Sequence, residues 1–378
     1  MGEFPLGAVA TLEELESDPH PLLAQLRERE PVSWLPALGG WLVTRRDLAL
    51  RAMRDPDALT VDDPRFSTGQ VLGRSMLTSD GAEHERHRRP FARPLRRDAV
   101  RERFSDFVRA QAELLIEDVA PRGRADLRAT VAGPLAATVM AELLGLQAVG
   151  NERLLGWYAA IVDATSGLSA GRPVPEEGRH AAFELRASTD HVLSGEAAGG
   201  LSPEEVSSNA AVLLFGGIET TEGAITGAVL NLLSHEEQLA LVRAEPGLLT
   251  NAIEECMRIE PPAASIDRYA TRDLELGGAQ IRRGDLVTIS LAAANRDPAV
   301  FPDPDRFDVR RTNAVRHVAF AHGPHVCIGM HLARLEARIA IELLLARLPG
   351  LRLDPARHAR ARGLVFRKPA ALDVRWDQ

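Results

Sequence analysis

The chain reads as mainly α-helical with a small β component, and three observations carry that expectation. Ser202-Pro203-Glu204-Glu205 is a capping box with proline at the first helical position, and it opens an unbroken run from Pro203 to about Ser234. That run amounts to roughly 32 residues, or ~48 Å, of helix. Its middle, Ala210–Phe215, is apolar all round, as suits a helix that crosses a core. Between Arg97 and Leu146, the apolar residues Phe104, Phe107, Val108, Leu114 and Leu115, then Ala136, Ala137, Met140 and Leu143, form faces of two helices separated by a polar break at Pro121–Arg124. Strand-like segments are few and short.

The other elements follow from the same periodicities. An amphipathic helix near Pro21–Arg29 precedes a hairpin with strands Val32–Trp34 and Gly40–Thr44 and a turn at Pro36–Gly39. A helix at Arg46–Arg54 follows. Residues 149–194 read as helix, loop, helix, the loop being Thr165–Glu177, rich in Gly, Ser and Pro. Leu274–Ser290 reads as a hairpin region that turns at Gly277-Gly278. No internal repeat or low-complexity tract appears.

Composition narrows the function. With 378 residues, 45% hydrophobic and 26% charged, the chain is of ordinary globular make-up. A net charge of −8 argues against nucleic acid as a partner. Two cysteines, Cys256 and Cys327, supply neither a disulfide framework nor a four-cysteine zinc site. No apolar run reaches the ~18–20 residues that span a bilayer, and the N-terminus lacks a signal-peptide pattern, so a cytoplasmic protein without a membrane anchor is expected. Lys368 is the only lysine, which reads as a bias of base composition.

Four segments carry chemistry. In Phe320-Ala-His-Gly-Pro-His-Val-Cys327-Ile-Gly329, a cysteine stands at the mouth of the apolar helical run Met330–Leu348. Free N–H groups at a helix start favour a thiolate, and a thiolate so held is a good axial ligand for haem iron. The plainer reading of a lone cysteine is a small buried hydrophobe. Gly216-Gly217-Ile218-Glu219-Thr220 lies within the long helix. Two glycines there cost roughly 2 kcal/mol against alanine, which reads as room for a large flat group. The acid beside Thr220 suits proton delivery, the plainer alternative being a hydroxyl bonded to the carbonyl one turn back. Glu255 and Arg258 lie three apart on a helix, commonly a surface pair of little worth; Cys256 beside them reads as an inert core residue. Asp80, His84 and Arg88 open another helix, with His84 and Arg88 on one face, fit to hold an anion or simply to meet solvent.

These segments, in this order, resemble the cytochrome P450 family: its haem-binding loop F-x-x-G-x-H-x-C-x-G, its oxygen-activation motif [A/G]-G-x-[D/E]-T, its E-x-x-R helix and its D-P-P-x-H-x-x-x-R helix. Departures are Ala321 for the usual glycine and Gly81 and Ala82 for the two prolines. The resemblance covers nearly the whole chain. It implies the triangular, mainly α cytochrome P450 fold as one domain, 1–378, and a haem-thiolate monooxygenase of secondary metabolism that hydroxylates an organic substrate. Haem b would be the cofactor, with Cys327 as metal ligand and Thr220 and Glu219 as catalytic residues. His84, Arg88, Arg268 and His325 would meet the propionates; Phe320, Gly217, Met76, Leu77, Gly329 and Ala333 would also contact the haem. Ile218, Ala263, Ala264, Ser265 and Ile266 would face substrate. Arg362–Phe366 and Val374–Trp376 look like the family's terminal hairpin, its tip bringing Val365 and Phe366 to the pocket. Glu255 and Arg258 would be the family's structural pair, buried on the proximal side.

Partners follow from the same resemblance. A ferredoxin and ferredoxin reductase would supply electrons to a monomer, and Arg86, Arg89, Arg93, Arg96 and Arg97 form a basic patch that could steer an acidic donor. Alternatives from the same residues are phenol coupling, nitration or peroxide-driven oxidation, and a non-catalytic carrier-binding role. Finally, only about eight residues separate Phe66-Ser67 from Met76-Leu77, which extend to at most ~30 Å. A stretch so short is expected to form no roofing helix and to leave an open mouth for a peptide, a macrocycle or a carrier-tethered substrate. The competing expectation is that Thr165–Glu177 folds inward instead.

Overall fold

A computed structural model describes residues 4–169, 171–189 and 198–378. Its axis is the central helix, Pro203–Ser234, started by the capping box the sequence shows: Ser202 Oγ accepts from the Glu205 N–H, and the Glu205 carboxylate accepts from the Ser202 N–H. Neighbours cover the central helix on most sides: Gly133–Leu144, Glu176–Thr189, Leu249–Ile259 and the cysteine helix, Met330–Arg347. That cover explains how an apolar run with two glycines stays helical, since packing outweighs propensity. Arg97–Val119 packs on the cysteine helix through Val100, Phe104, Val108, Ala112 and Ile116, one residue per turn. Leu114, expected on that buried face, is 60% exposed.

The small β part is mostly one five-stranded sheet, ordered Val32–Leu35, Gly40–Val43, Leu286–Ser290, Ser265–Ala270, Leu59–Thr60. Its Ser265–Ala270 strand runs antiparallel to Leu286–Ser290, with Arg268 opposite Val287. Leu274–Leu276 and Ala279–Ile281 form the hairpin expected around Gly277-Gly278.

Four expectations change. Arg362–Phe366 and Val374–Trp376 do not pair with each other: Ala361–Arg362 pairs with Lys368–Pro369, while Asp373–Arg375 lies between Arg124–Asp126 and Arg352–Leu353. The strand Arg124–Asp126 and the π-helical turn Arg128–Ala132 after it sit where only a polar break was legible, because three residues without alternation leave no strand signal. The helix Asn151–Ser169 absorbs the start of the expected Thr165–Glu177 loop, and Glu176–Thr189 absorbs its end; residues 190–194 of the expected second helix lie outside the described residues. The short stretch after Phe66 folds after all. Ser67–Leu72 is a helix packed against Asn151–Ser169, so the open mouth loses its basis. A six-residue helix consumes only ~9 Å, which leaves chain enough to reach Met76. No helix among the described residues is long and apolar enough to cross a membrane.

The Glu255–Arg258 pair is fully buried, not superficial. Arg258 Nε and NH2 donate to the two Glu255 carboxylate oxygens at 2.7 and 2.9 Å, and its other N–H groups reach the carbonyls of Asn295, Pro304 and Arg306. Arg311, not singled out in the sequence, binds Glu255 at 3.0 Å. Removing one partner of a buried pair leaves an uncompensated charge. Glu255→Ala should therefore lower the unfolding free energy by about 3–5 kcal/mol, read as a shifted denaturant midpoint with unchanged slope.

Candidate active site

The cysteine loop is shaped by backbone as much as by side chains. Gly323 has φ +78, and a Cβ there would stand 2.5 Å from the Met53 carbonyl oxygen, so this glycine lets the loop lie against helix Arg46–Arg54 rather than against a cofactor. Gly329, by contrast, has an ordinary φ of −88, and the nearest atom to a Cβ there would be Cys327 Sγ at 4.0 Å. A Cβ at that position would make ordinary van der Waals contact with the sulfur. Ala321 takes φ +57, a left-handed conformation that costs an L-residue with a Cβ. The Cys327 N–H donates to Phe320 O at 2.9 Å and closes the loop.

Burial pushes the Cys327 thiol up; the amides of Gly329 and Met330 and the charges of Arg88 and Arg334 pull the other way without prevailing. The helix start thus softens the cost of a thiolate but does not remove it. A metal cation at the sulfur would supply the missing charge.

Above Cys327 lies a cavity of about 310 Å³. Cys327, Phe320, Gly329 and Ala333 line it together with Met76, Leu77, Gly217, Thr220, Ala263, Ser265, Ile266, Val365 and Phe366, which brings together most of the residues selected from the sequence. Thr220 Oγ1 donates to Gly216 O at 2.6 Å, so its lone pairs are left for the cavity. Phe215 and Phe366 meet edge to face, 5.5 Å apart. The roof is Ser67 and Thr68 of the short helix with Thr165 and Ser166 of Asn151–Ser169; the last two open the Thr165–Glu177 stretch that was the competing candidate for a roof, and they reach it as helix rather than loop.

Other candidates move. Ala264 turns to the opposite face of its strand and packs with Leu15, Leu23 and Leu42, as alternation along an extended segment requires. Ile218 is 0% exposed and belongs to the main core, on the far side of the central helix from Gly216. Gly217 touches the cavity, yet a Cβ there would strike Met140 Sδ at 2.4 Å; the open position is Gly216, where a Cβ would meet nothing within 4 Å. Glu219, 2% exposed, points away from the cavity into a cluster with Tyr158 and Lys368. A helix turns 100° per residue, and here that turn carries Glu219 off the cavity while Thr220 stays on it.

One rim of the cavity is cationic. His84, Arg88, Arg268 and His325 all line it. Arg88 donates to Val326 O, and Arg268 to Asp267 O, which leaves several guanidinium N–H groups on each for a ligand. Burial lowers Arg268 to about 10, against the pull of Asp80 and Asp267. His84 sets both ring nitrogens against carbonyl oxygens, Met76 at 2.7 Å and Pro324 at 3.1 Å, and its ring lies 4.1 Å from that of His325. His325 Nε2 is 2.7 Å from Asp80 Oδ1. Asp80 is thus a partner of the haem-loop histidine as well as the residue before a helix, and Thr60 and the Val61 N–H bind its other oxygen. Burial would raise Asp80; the bonds from His325, Thr60 and Val61 outweigh it and hold the carboxyl at about 2.

On the cysteine side, Glu336 lines the cavity as a buried carboxyl with Oε2 unpartnered among the described residues, and burial pushes it well above the usual carboxylate range. A flat dianion with a metal at its centre fits this arrangement: sulfur beneath, two guanidinium groups and two imidazoles at one edge, apolar walls above. In the arginine patch, Arg86 is tied to Glu83 and Glu205, whereas Arg89, Arg93, Arg96 and Arg97 are exposed.

Comparison with known proteins agrees with this geometry. Residues 179–349 match the family model described as Cytochrome P450. The chain is 36% identical to cytochrome P450 monooxygenase PikC of Streptomyces venezuelae over 98% of its length and 94% of that protein. It is 33% identical to 6-deoxyerythronolide B hydroxylase of Saccharopolyspora erythraea, covering 98% of this chain and all (100%) of that one. Among solved structures, P450BioI in complex with a hexadec-9Z-enoic acid-ligated acyl carrier protein superposes with a TM-score of 0.86 at 30% identity, over 97% of this chain and 100% of that one.

Two outcomes are expected. Ala321→Gly should relieve the left-handed strain and raise stability by about 1 kcal/mol, read as a higher denaturant midpoint. Asp80, depressed in the fold, contributes stability in full above its ordinary value of 3.8 and loses it as pH falls toward about 2. Stability measured against pH should therefore lose part of its fall between those values in Asp80→Asn.

Proposed function

Because the chain belongs to the cytochrome P450 family and is a monooxygenase, we propose that it hydroxylates a bulky, neutral, largely apolar molecule of secondary metabolism with electrons from a ferredoxin. The observation that carries this is the opposition of Cys327 and Thr220 across one apolar cavity with a cationic rim. The family's cofactor, haem b, supplies oxygen activation when bound. Cys327 is its ligand in this reading, and His84, Arg88, Arg268 and His325 hold its propionates. Gly216 leaves space beside it, and Phe320 and Ala333 pack against it.

The protein's own residues do the rest. Thr220 accepts and donates hydrogen bonds at the reacting position, its proton directed to Gly216 O between events. Phe215, Phe366, Val365 and Ile266 exclude water and orient an apolar body. Charged lining residues among those described belong to the rim or the cysteine side, while the roof offers hydroxyls: Ser67, Thr68, Thr165 and Ser166. Such a roof accepts hydroxyl, carbonyl or sugar groups and gives an ammonium or carboxylate no counter-ion. The likeness to 6-deoxyerythronolide B hydroxylase of Saccharopolyspora erythraea supports a neutral macrocycle. A carrier-tethered acyl chain is the second reading, favoured by the likeness to P450BioI with its acyl carrier protein. The exposed Arg89, Arg93, Arg96 and Arg97 on a chain of net charge −8 suit an acidic ferredoxin, with its reductase upstream.

Purified holo-protein should show the thiolate signature of reduced, CO-bound haem, and Cys327→Ala should lose it. With NADPH, ferredoxin and reductase, neutral macrolactones should shift the ferric spin state and gain one oxygen atom by mass, whereas amino-sugar macrolides and free fatty acids should not. A wild-type holo-protein without the thiolate signature would overturn the reading.

A further inference from the structure

Met76 and Leu77 line the cavity, and Met76 is held by both sides of its backbone. Its carbonyl oxygen lies 2.7 Å from His84 Nδ1, and its N–H donates to Asn209 Oδ1 at 2.7 Å. His84 belongs to the helix Gly81–Ala92 and Asn209 to the central helix. Asn209 in turn places Nδ2 2.7 Å from Glu205 O and 2.8 Å from Nδ1 of His87, one turn after His84. Asn209 and His87 are 0% exposed and Met76 is 4% exposed, so bulk solvent cannot replace a lost partner in this chain of bonds.

A count of protons fixes the state of the His87 ring. A backbone N–H only donates, so the Asn209 atom facing Met76 is its oxygen, and the atom facing His87 is its amide nitrogen. Both Nδ2 protons are then spent, on Glu205 O and on His87 Nδ1, and Nδ1 presents a lone pair. A neutral imidazole carries one N–H, which therefore sits on Nε2, 3.4 Å from Glu205 Oε1. Arg86 NH2 lies 3.3 Å from the same nitrogen but donates to Glu83 Oε2 at 2.9 Å and to Glu205. The charges that face the ring balance: Glu83 and Arg86 from its own helix, Glu205 from the central helix, and Arg74 from the segment before Met76. Burial decides the outcome and lowers His87 from its ordinary 6.5.

We propose that His87 is a positioning residue for the cavity: neutral, it holds Met76 and Leu77 in place through Asn209, and protonated at Nδ1 it releases them. The inference rests on the functional reading above, in which this segment faces the haem. A proton taken from solvent onto Nδ1 sets two donors against each other 2.8 Å apart. Asn209 answers by turning its amide over, which points NH2 at the Met76 N–H, or by withdrawing. In both cases the buried Met76 N–H loses its acceptor, and the segment leaves its place on the cavity wall. The pocket is then closed at neutral pH and loosened by acid.

The test uses ferrous, CO-bound holo-protein, which is diamagnetic, labelled with nitrogen-15 at histidine and methionine. At about pH 8 the His87 ring should show a bare Nδ1 and a protonated Nε2. As pH falls toward about 5, the Met76 amide resonance should move along the same titration curve as the ring. His87→Asn sets an oxygen near the Nδ1 position and does not titrate; its Met76 amide should keep the neutral wild-type position throughout. Asn209→Ala removes the acceptor, and its Met76 amide should sit at the acid position at both ends. Carbon monoxide association after flash photolysis should speed up by roughly twofold or more on acidification in wild type and stay level in His87→Asn. A proton on Nδ1 at about pH 8, a ring still neutral at about pH 5, a Met76 amide indifferent to the ring, or equal pH dependence in His87→Asn would overturn the inference. Should Asn209→Ala fail to fold, wild type and His87→Asn decide alone. The CO-bound thiolate signature, taken on every sample, separates the two claims. Present beside an indifferent Met76, it removes the positioning role and leaves the monooxygenase; absent, it removes Cys327 as ligand, and the His87–Met76 titration is judged by itself.

Discussion

Two successive carboxylates on one helix hold this architecture at its cysteine end. Glu255 binds Arg258 and Arg311, and through Arg258 it gathers the carbonyls of residues 295, 304 and 306. Glu254, on the adjoining face, binds His317 at 3.1 Å and Arg334 at 2.6 Å. Burial would raise Glu254, but Arg334 and His317 outweigh it and hold it at about 2. His317 precedes the cysteine loop, and Arg334 lies one turn into the cysteine helix, its guanidinium stacked 4.3 Å over Phe320. Asn295 closes the circuit by accepting from the Val318 N–H at 2.7 Å. The sulfur's position is thus set by charges that lie behind it rather than in the cavity above it.

Much of this was legible in the chain. The central helix and its cap, the Arg46–Arg54 helix and the first hairpin follow from patterns that depend only on local order. The haem-loop cysteine, Thr220 and the rim cations came from fixed spacings that a turn or a helix face translates directly into proximity. What escaped was non-local. The three-residue strand Arg124–Asp126 exists because Asp373–Arg375 lies beside it, and the roof helix Ser67–Leu72 because Asn151–Ser169 supports it.

The same limit explains the site residues that moved. Glu219 was placed with Thr220 on sequence adjacency, yet one residue along a helix is a change of face, and the partner that captures it is 149 residues away at Lys368. Ala264 and Ile218 failed for the same geometric reason on a strand and a helix. Lys368 did carry a signal in the sequence, its singularity, which composition alone made look like noise; the fold sets it between Glu219 and Glu222.

The terminal hairpin is fastened unusually well for an element that touches substrate. Arg367, almost wholly buried, binds Glu260 at 2.6 Å and spends its remaining N–H groups on the carbonyls of Glu16, Gly363 and Ala361. Val365 and Phe366, immediately before it, therefore form a wall that cannot be re-cut without loosening the N-terminal segment as well. The opposite wall, Ser67, Thr68, Thr165 and Ser166, comes from two helices that pack against each other. Divergence toward new substrates has one permissive side in such a pocket: lineages can exchange the hydroxyl-bearing wall residue by residue while the aromatic wall is inherited whole.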